Sequence, residues 1–392
     1  NLFYRVDKFN LSNQTTISYT DAANNTVPFS SFSRMNPYEA KYAANGEIQK
    51  VLEENDVYNP LWDFIQKSYD ENDALELKNN FIIEYRPITR MRVQGKFGFN
   101  TSRSSSEIFK SPYNTEFIGT ESTKQGSYNR TEYRNTAYDG SVLVSFGEVS
   151  GIHTYNLIAG AQLSVSHNTN EGYSAIGYTT DQFSNPNFSN SYPEGEHPSS
   201  SVDKYRSASF YFNGNYAFDM RYLLDVNLRS DGASVFGVNN PFSTTWSLGV
   251  GWNVHNENFL KNGNVINYFK IRYSLGNPGN QNYDSAQTLL TYAFQYGSMN
   301  YFGLGAVLDQ VGNSDLKWQT TLDKNMGIDI TLLNKRLNIT VDYFHKVTDP
   351  LLIRIGMPLS SGTPTYMTNA GEQTSQGVTA TASYYIIQNF DK

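Results

Sequence analysis

Between Tyr222 and Arg229 the chain alternates sides. Tyr222, Leu224, Val226 and Leu228 fall on one, and Leu223, Asp225, Asn227 and Arg229 on the other. Successive side chains of a strand face opposite ways, so this segment has one apolar face and one mostly wet face. The pattern recurs along the chain, and tight turns alternate with long polar connections. A β-barrel in a bilayer requires this combination: lipid outside, a polar lumen inside, short turns on the periplasmic side and long loops on the outer side.

The remaining bulk properties fit that reading. The 392 residues suffice for one large domain or for two to three ordinary ones. No apolar run approaches the roughly 18 residues of a spanning helix. A barrel escapes that test because half of each strand is polar. Aromatic residues make up 15% of the chain, including 29 Tyr and 24 Phe, and such rings suit strands and membrane interfaces. Cysteine is absent, which excludes disulfides, thiolate metal sites and Cys nucleophiles. The net charge of -7, without a basic stripe, argues against nucleic acid as a partner. Asn1 to Arg5 lacks the basic and apolar regions of a signal peptide, and Tyr385 to Lys392 reads as a strand running into a turn. Both ends read as cut, and the chain reads as an internal fragment.

The predicted elements follow as hairpins. Asn10 to Tyr19 is a strand, and a long connection runs from Thr20 to Asn79. Within it, Leu61, Phe64, Ile65 and Tyr69 have helical spacing, which predicts a short helix over Pro60 to Tyr69. Phe81–Tyr85 pairs with Met91–Asn100, and a polar loop then extends to about Thr136. Tyr138–Phe146 pairs with Ile152–Ser166, and a second polar loop spans His167 to Asp203. Tyr205–Phe218 pairs with Tyr222–Arg229 through Asp219-Met220-Arg221. Thr245–Val254 pairs with Tyr268–Gly276, placing Trp246, Leu248, Val250 and Trp252 outward with Phe269, Ile271, Tyr273 and Leu275. Asn325–Leu332 pairs with Leu337–Phe344, and a last strand covers Gly377 to Ile387. The expectation is all-β: about 12 antiparallel strands of a transmembrane barrel. No helical crossovers support a parallel sheet, and no fixed repeat supports a propeller or solenoid.

From Leu224 onward the sequence resembles SusC/RagA-type TonB-dependent transporters, outer-membrane proteins of Bacteroidota. Arg229-Ser230-Asp231-Gly232-Ala233-Ser234-Val235-Phe236-Gly237 resembles the family's R-x-D-G-S-S-x-F-G stretch. Ser247-Leu248-Gly249-Val250-Gly251-Trp252 and Asn256-Glu257-Asn258-Phe259 follow in the family's order. Phe269 to Gln281 resembles L-K-x-R-x-S-Y-G-x-T-G-N-Q, and Asp315-Leu316-Lys317-Trp318-Gln319-Thr320-Thr321 resembles D-L-K-W-E-T-T. Asn369-Ala370-Gly371-Glu372 and Gln376-Gly377-Val378 resemble N-x-G-E and N-K-G-V. The specific part covers about Tyr205 to Tyr385. Pro278 stands where Thr is common, and Asn240 to Trp246 replaces the usual R-x-G-x-F-P-S, departures that touch loop shape.

The resemblance implies residues 1–392 as part of a single TonB-dependent receptor barrel of about 22 strands. Its plug domain, TonB box, first strands and closing strands lie outside this chain. It further implies import of glycan oligomers or peptides across the outer membrane, a SusD-like surface lipoprotein as lid, TonB as energy source, and neither cofactor nor enzymatic activity. The isolated chain, with unpaired edge strands, is expected to aggregate.

Trp62, Tyr113, Tyr192, Tyr283 and Tyr301 fall in outer loops or at strand ends, where exposed rings dock sugars or peptides; loop packing and the membrane girdle are the plainer roles. Arg229, Asp231 and Gly232 read as shaping a strand end, Gly279, Asn280 and Gln281 as a turn, and Trp318 as part of the motif framework. Asp70-Glu71-Asn72-Asp73 with Glu76 lacks the spacing of a calcium loop and reads as a solvated acidic loop. The five histidines make no zinc motif. Two other readings compete: a soluble all-β carbohydrate-binding sandwich, whose apolar faces would cover each other, and a passive porin or adhesin barrel.

Overall fold

The computed structural model describes residues 1–52, 57–260, 265–280 and 288–386. β1 (Leu2–Val6) and β2 (Phe9–Asn24) form the first hairpin. The connection that follows carries α1 (Phe29–Ser33), a ribbon of β3 (Val51–Leu52) and β4 (Val57–Tyr58), and α2 (Pro60–Phe64). Then come β5 (Tyr69–Ile88), β6 (Met91–Lys110), β7 (Ser127–Ser150), β8 (His153–Ile176), β9 (Ser199–Phe218), β10 (Tyr222–Ala233), β11 (Phe242–Asn253) and β12 (Ile266–Gly276). β13 (Gly279–Asn280) precedes a hairpin of β14 (Thr291–Asn300) and β15 (Gly303–Gln310). β16 (Gln319–Leu332) and β17 (Leu337–Thr348) follow, then a ribbon of β18 (Leu352–Gly356) and β19 (Thr365–Asn369), and finally β20 (Gln373–Tyr384).

Thirteen strands form one antiparallel meander, β1-β2-β5-β6-β7-β8-β9-β10-β11-β12-β16-β17-β20, with β13 attached to β16. Among the described residues the sheet is open, and β1 and β20 are its edges. Short turns lie at one end. Asp219 and Met220 adopt φ of 50° and 53°, and Leu333, Asn334 and Lys335 φ of 57°, 57° and 67°. Such left-handed backbone matches the twist of tight hairpins. At the other end the connections are residues 25–68, 111–126, 177–198, 234–241, 277–318 and 349–372.

Register turns the alternation into two faces. Tyr155, Tyr216, Leu224, Val250, Tyr273, Met326, Tyr343 and Val378 lie side by side across eight strands. Their chain neighbours Asn156, Asn215, Asp225, Gly249, Ser274, Asn325, Phe344 and Gly377 form the adjacent row on the opposite face. Leu224, Val250, Tyr273, Met326, Tyr343 and Val378 are exposed, so no second sheet covers them. A soluble sandwich would bury that face, and the structure overturns that alternative. Outward Trp246, Leu248, Val250 and Trp252 stand as the alternation predicts, with Leu248, Val250 and Trp252 registered against Leu275, Tyr273 and Ile271.

The turn end carries an aromatic girdle. His153 lies among Tyr155, Tyr216 and Phe218 at centroid distances of 6.2, 6.0 and 5.4 Å. Beyond the strand, Glu257 accepts from Tyr222 Oη at 3.0 Å and Trp252 Nε1 at 3.1 Å, and pairs with Arg221 at 3.2 Å. These donors, led by Trp252 and Tyr222, hold its carboxyl below the usual carboxylate range. Aromatic residues with polar tips turned to water suit a membrane interface.

Several sequence boundaries shift. β5, β6, β7, β8 and β9 run well into the polar segments read as loops at Thr20–Asn79, up to Thr136 and at His167–Asp203. β7 and β8 have 24 residues each. A bilayer crossing takes about 9–11 residues, so these strands project beyond it as a polar collar. The helix is shorter than Pro60–Tyr69: Asn59 caps α2 by accepting from Leu61 N, and the strand has begun by Tyr69. Asp70 to Glu76 lies in β5, not in a loop, so its carboxylates alternate between faces.

Candidate lumenal wall and outer-loop cluster

The polar face is built by side chains lying along the wall. Arg272 on β12 reaches across β16 to bind Asp329 at 3.0 Å and Asp342 on β17 at 2.7 Å. Gly327 makes the crossing possible: a Cβ there would lie 2.5 Å from the Arg272 guanidinium carbon. Thr340 Oγ1 donates to Asp329 at 3.1 Å, and Lys346 pairs with Asp323 at 3.1 Å. Tyr211 lies over Gly160 in the same manner. Asn213 donates to Asn227, and Asn227 to Ser247 Oγ at 3.0 Å. A cleft of about 360 Å³ opens among Asn227, Arg229, Ser247, Ser274 and Asp323. Partly buried ion pairs of this kind fix geometry more than they add stability. The result is a smooth, hydrated wall bearing both signs of charge, suited to polar solutes or to a polar protein segment.

The motif residues settle into two roles. Arg229 Nε donates to both carboxylate oxygens of Asp231, at 2.8 and 2.7 Å, and its Nη2 donates to Ser209 at 3.2 Å. Asp231 is buried, and a side chain on Gly232 would strike the Phe242 ring. Trp318 is buried against Val235 and Phe236, with ring centroids 4.4 Å apart for Phe236 and Trp318, and it lies over Gly279. Gly237 sits so close to Ser314 that a Cβ would overlap the Ser314 carbonyl. Asn239 and Asn240 donate to Asp315, and Asn369 bonds Lys317 in both directions. Three motifs separated in sequence thus form one hydrogen-bonded knot beside the strand ends. Asn280 lies in β13. Gln281 and Tyr283 lie outside the described residues.

The candidate docking rings divide among the outer loops. Trp62 Nε1 donates to the Tyr113 carbonyl at 2.9 Å, and Tyr113 Oη donates to the Thr179 carbonyl at 3.4 Å. Asp63 accepts from Thr115 N at 2.7 Å, and Tyr69 Oη donates to Ser184 at 3.0 Å. These bonds stitch residues 59–69, 111–126 and 177–198 together over a small core of Phe109, Tyr128, Ala175 and Tyr178. Burial, helped by the nearby Tyr173 and Tyr69, pushes the Tyr178 phenol up to about 12. Trp62 and Tyr113 therefore join in one cluster. Tyr192 stands half-exposed beside the Ile176–Ser191 bridge, and Tyr301 is 96% exposed at the tip of the β14–β15 hairpin. Sequence reading missed the wall network of Arg272, Asp329 and Asp342, because register across three strands cannot be read from one chain segment. Among the described residues no group of His, Asp or Glu is arranged to hold a metal ion.

An open antiparallel meander with an apolar belt, a polar opposite face and long loops at one end defines a segment of a membrane β-barrel. The chain belongs to the TonB dependent receptor-like, beta-barrel family, whose model matches residues 8–391. TonB-dependent receptor P3 of Formosa agariphila is 28% identical over 350 residues, covering 89% of this chain and 34% of that protein. TonB-dependent receptor SusC of Bacteroides thetaiotaomicron is 25% identical over 372 residues, covering 88% of this chain and 35% of that protein. The chain spans about a third of the length of these relatives. The RagAB peptide importer in its closed-closed state has the same fold, with a TM-score of 0.77 at 19% identity over 99% of this chain and 44% of that one. Membership of this receptor family makes the sheet an outer-membrane β-barrel wall and not an enzyme.

Proposed function

We propose that this chain supplies part of the wall of a TonB-energised outer-membrane importer of glycan oligomers or peptides. The observation that carries the reading is one sheet with two chemistries, an exposed apolar row beside a mostly polar row across eight strands, capped at one end by stitched loops. The open edges at β1 and β20 pair with further strands of the same barrel, and residues 1–392 form part of that single barrel domain. A plug domain and TonB box outside this chain gate the lumen. A SusD-like lipoprotein covers the loop end, where Trp62, Tyr113, Tyr192, Tyr283 and Tyr301 offer rings for substrate or lid. Arg229, Asp231, Gly232, Gly279, Asn280, Gln281 and Trp318 keep the framework.

The test is uptake by cells. A strain lacking the gene is expected to lose uptake of a labelled oligosaccharide or peptide that the parent strain accumulates, and disruption of TonB is expected to give the same loss. Uptake that survives TonB disruption would favour the passive porin.

A further inference from the structure

The collar above the membrane belt has an inner face of unusual uniformity. From Tyr69 to Tyr85 on β5, and throughout the β6–β7, β7–β8 and β8–β9 pairings, the register runs without a shift. Alternation is therefore preserved from the belt to the strand tips. Residues sharing a face with Leu143, Ser141 and Asp139 stay on the lumenal side above the Phe99–Tyr138 pair. Two adjacent rows there are Thr20, Ala74, Ser104 and Tyr133, then Ala22, Asn72, Ser106 and Thr131. Together they line a dent of about 200 Å³. Asp73 and Ser105 pass through its floor, with side chains alternating to the opposite face.

The chemistry of the dent is specific. Ala22 and Ala74 leave the floor shallow, and Tyr133, 39% exposed, stands in its rim. Hydroxyls and one amide supply both donors and acceptors. The nearest lumenal charges are engaged: Lys78 holds Glu76 at 2.7 Å, and Asp70 accepts from Asn24 and Asn72 at 3.2 and 3.1 Å. A peptide brings charged termini, and the dent itself holds no charged lumenal side chain to meet them; the Asp70 carboxylate beside it, bonded by two neutral amides, suits the ammonium end alone. A sugar ring brings a C–H face for an aromatic ring and neutral hydroxyls for Ser, Thr and Asn.

We infer that the dent is a subsite for one ring of a neutral oligosaccharide, with Tyr133 as the stacking surface and Asn72, Ser104, Ser106 and Thr131 as hydroxyl partners. The inference rests on the import reading and narrows its substrate class. It places a sugar on the collar wall, between the outer loops and the membrane belt.

The test uses the full-length receptor in detergent, titrated calorimetrically with maltohexaose, cellohexaose, xylohexaose and hexaalanine. At least one hexasaccharide is expected to bind. Tyr133→Ala is expected to weaken that binding roughly tenfold, whereas Tyr133→Phe, which keeps the ring, holds it within about threefold. Neither variant is expected to alter any binding of hexaalanine. The inference fails if no hexasaccharide binds, if Tyr133→Ala leaves the sugar affinity unchanged, or if Tyr133→Phe is as damaging as Tyr133→Ala. Uptake by cells separates this failure from that of the import reading. Undiminished sugar uptake through Tyr133→Ala removes the subsite and leaves the importer standing, whereas uptake unchanged by gene deletion removes the importer itself.

Discussion

Glycines on this sheet differ in what surrounds them, and substitution should expose the difference. At Gly237 a methyl group meets backbone, the Ser314 carbonyl, inside the motif knot. At Gly140, on the lipid-facing side of β7, nothing lies within 4 Å of an added Cβ. Gly237→Ala is expected to destabilise the barrel by about 1–3 kcal/mol, the range of overpacking. Gly140→Ala is expected to be neutral or stabilising by up to roughly 1 kcal/mol, since alanine loses less entropy in a strand. The unfolding midpoints of the two full-length variants, followed by heat-dependent gel mobility, check this; equal midpoints would contradict it. Motif residues could be placed from sequence because their order along the chain is itself the signal. Their partners could not. Nothing near Gly237 in sequence announces Ser314, and nothing near Arg272 announces Asp342 two strands away.

Strands were legible where one face is apolar and the other polar, as in β10 and β11, and where tight turns mark the reversal, as at Asp219-Met220-Arg221. They were illegible where both faces are wet. The upper halves of β7 and β8, with Asn135, Asn168, Asn170 and Thr131, read as loop because hydropathy has no period there. Backbone pairing carries those halves, and the loop core beyond them adds burial, at about 1.5–3 kcal/mol for a fully buried large side chain. Tyr178 belongs to that core and gives it a pH limit. Its phenol is raised from 10.0 to about 12, so the neutral ring is favoured in the fold. The stabilisation is full below the unfolded value and is lost as pH rises from 10.0 towards about 12. Alkaline titration of tyrosinate absorbance should show a late-titrating group of rings, Tyr128 and Tyr69 of the same core with Tyr178, which Tyr178→Phe reduces by one. Loop cleavage by protease should increase over the same interval in the parent and increase less in the variant, where Tyr128 and Tyr69 alone still resist ionisation. A Tyr178 that titrates with the exposed tyrosines would contradict the packing of the outer loops.

At the scale of the whole molecule, the sheet separates lipid from a hydrated lumen, and its thirteen strands make part of a larger wall. Sequence reading expected about 12 strands, and the further one is β1, too short to show a period of its own. The central claim is the direction of the two faces, and β10 tests it directly. The chain has no cysteine, so single cysteines at each position from 222 to 229 can carry a nitroxide label without competition. In the full-length receptor in outer-membrane vesicles, collision rates with oxygen, which concentrates in lipid, are expected to peak at 222, 224, 226 and 228 and to fall at 223, 225, 227 and 229. Peaks at the odd positions, or no alternation at all, would contradict the account.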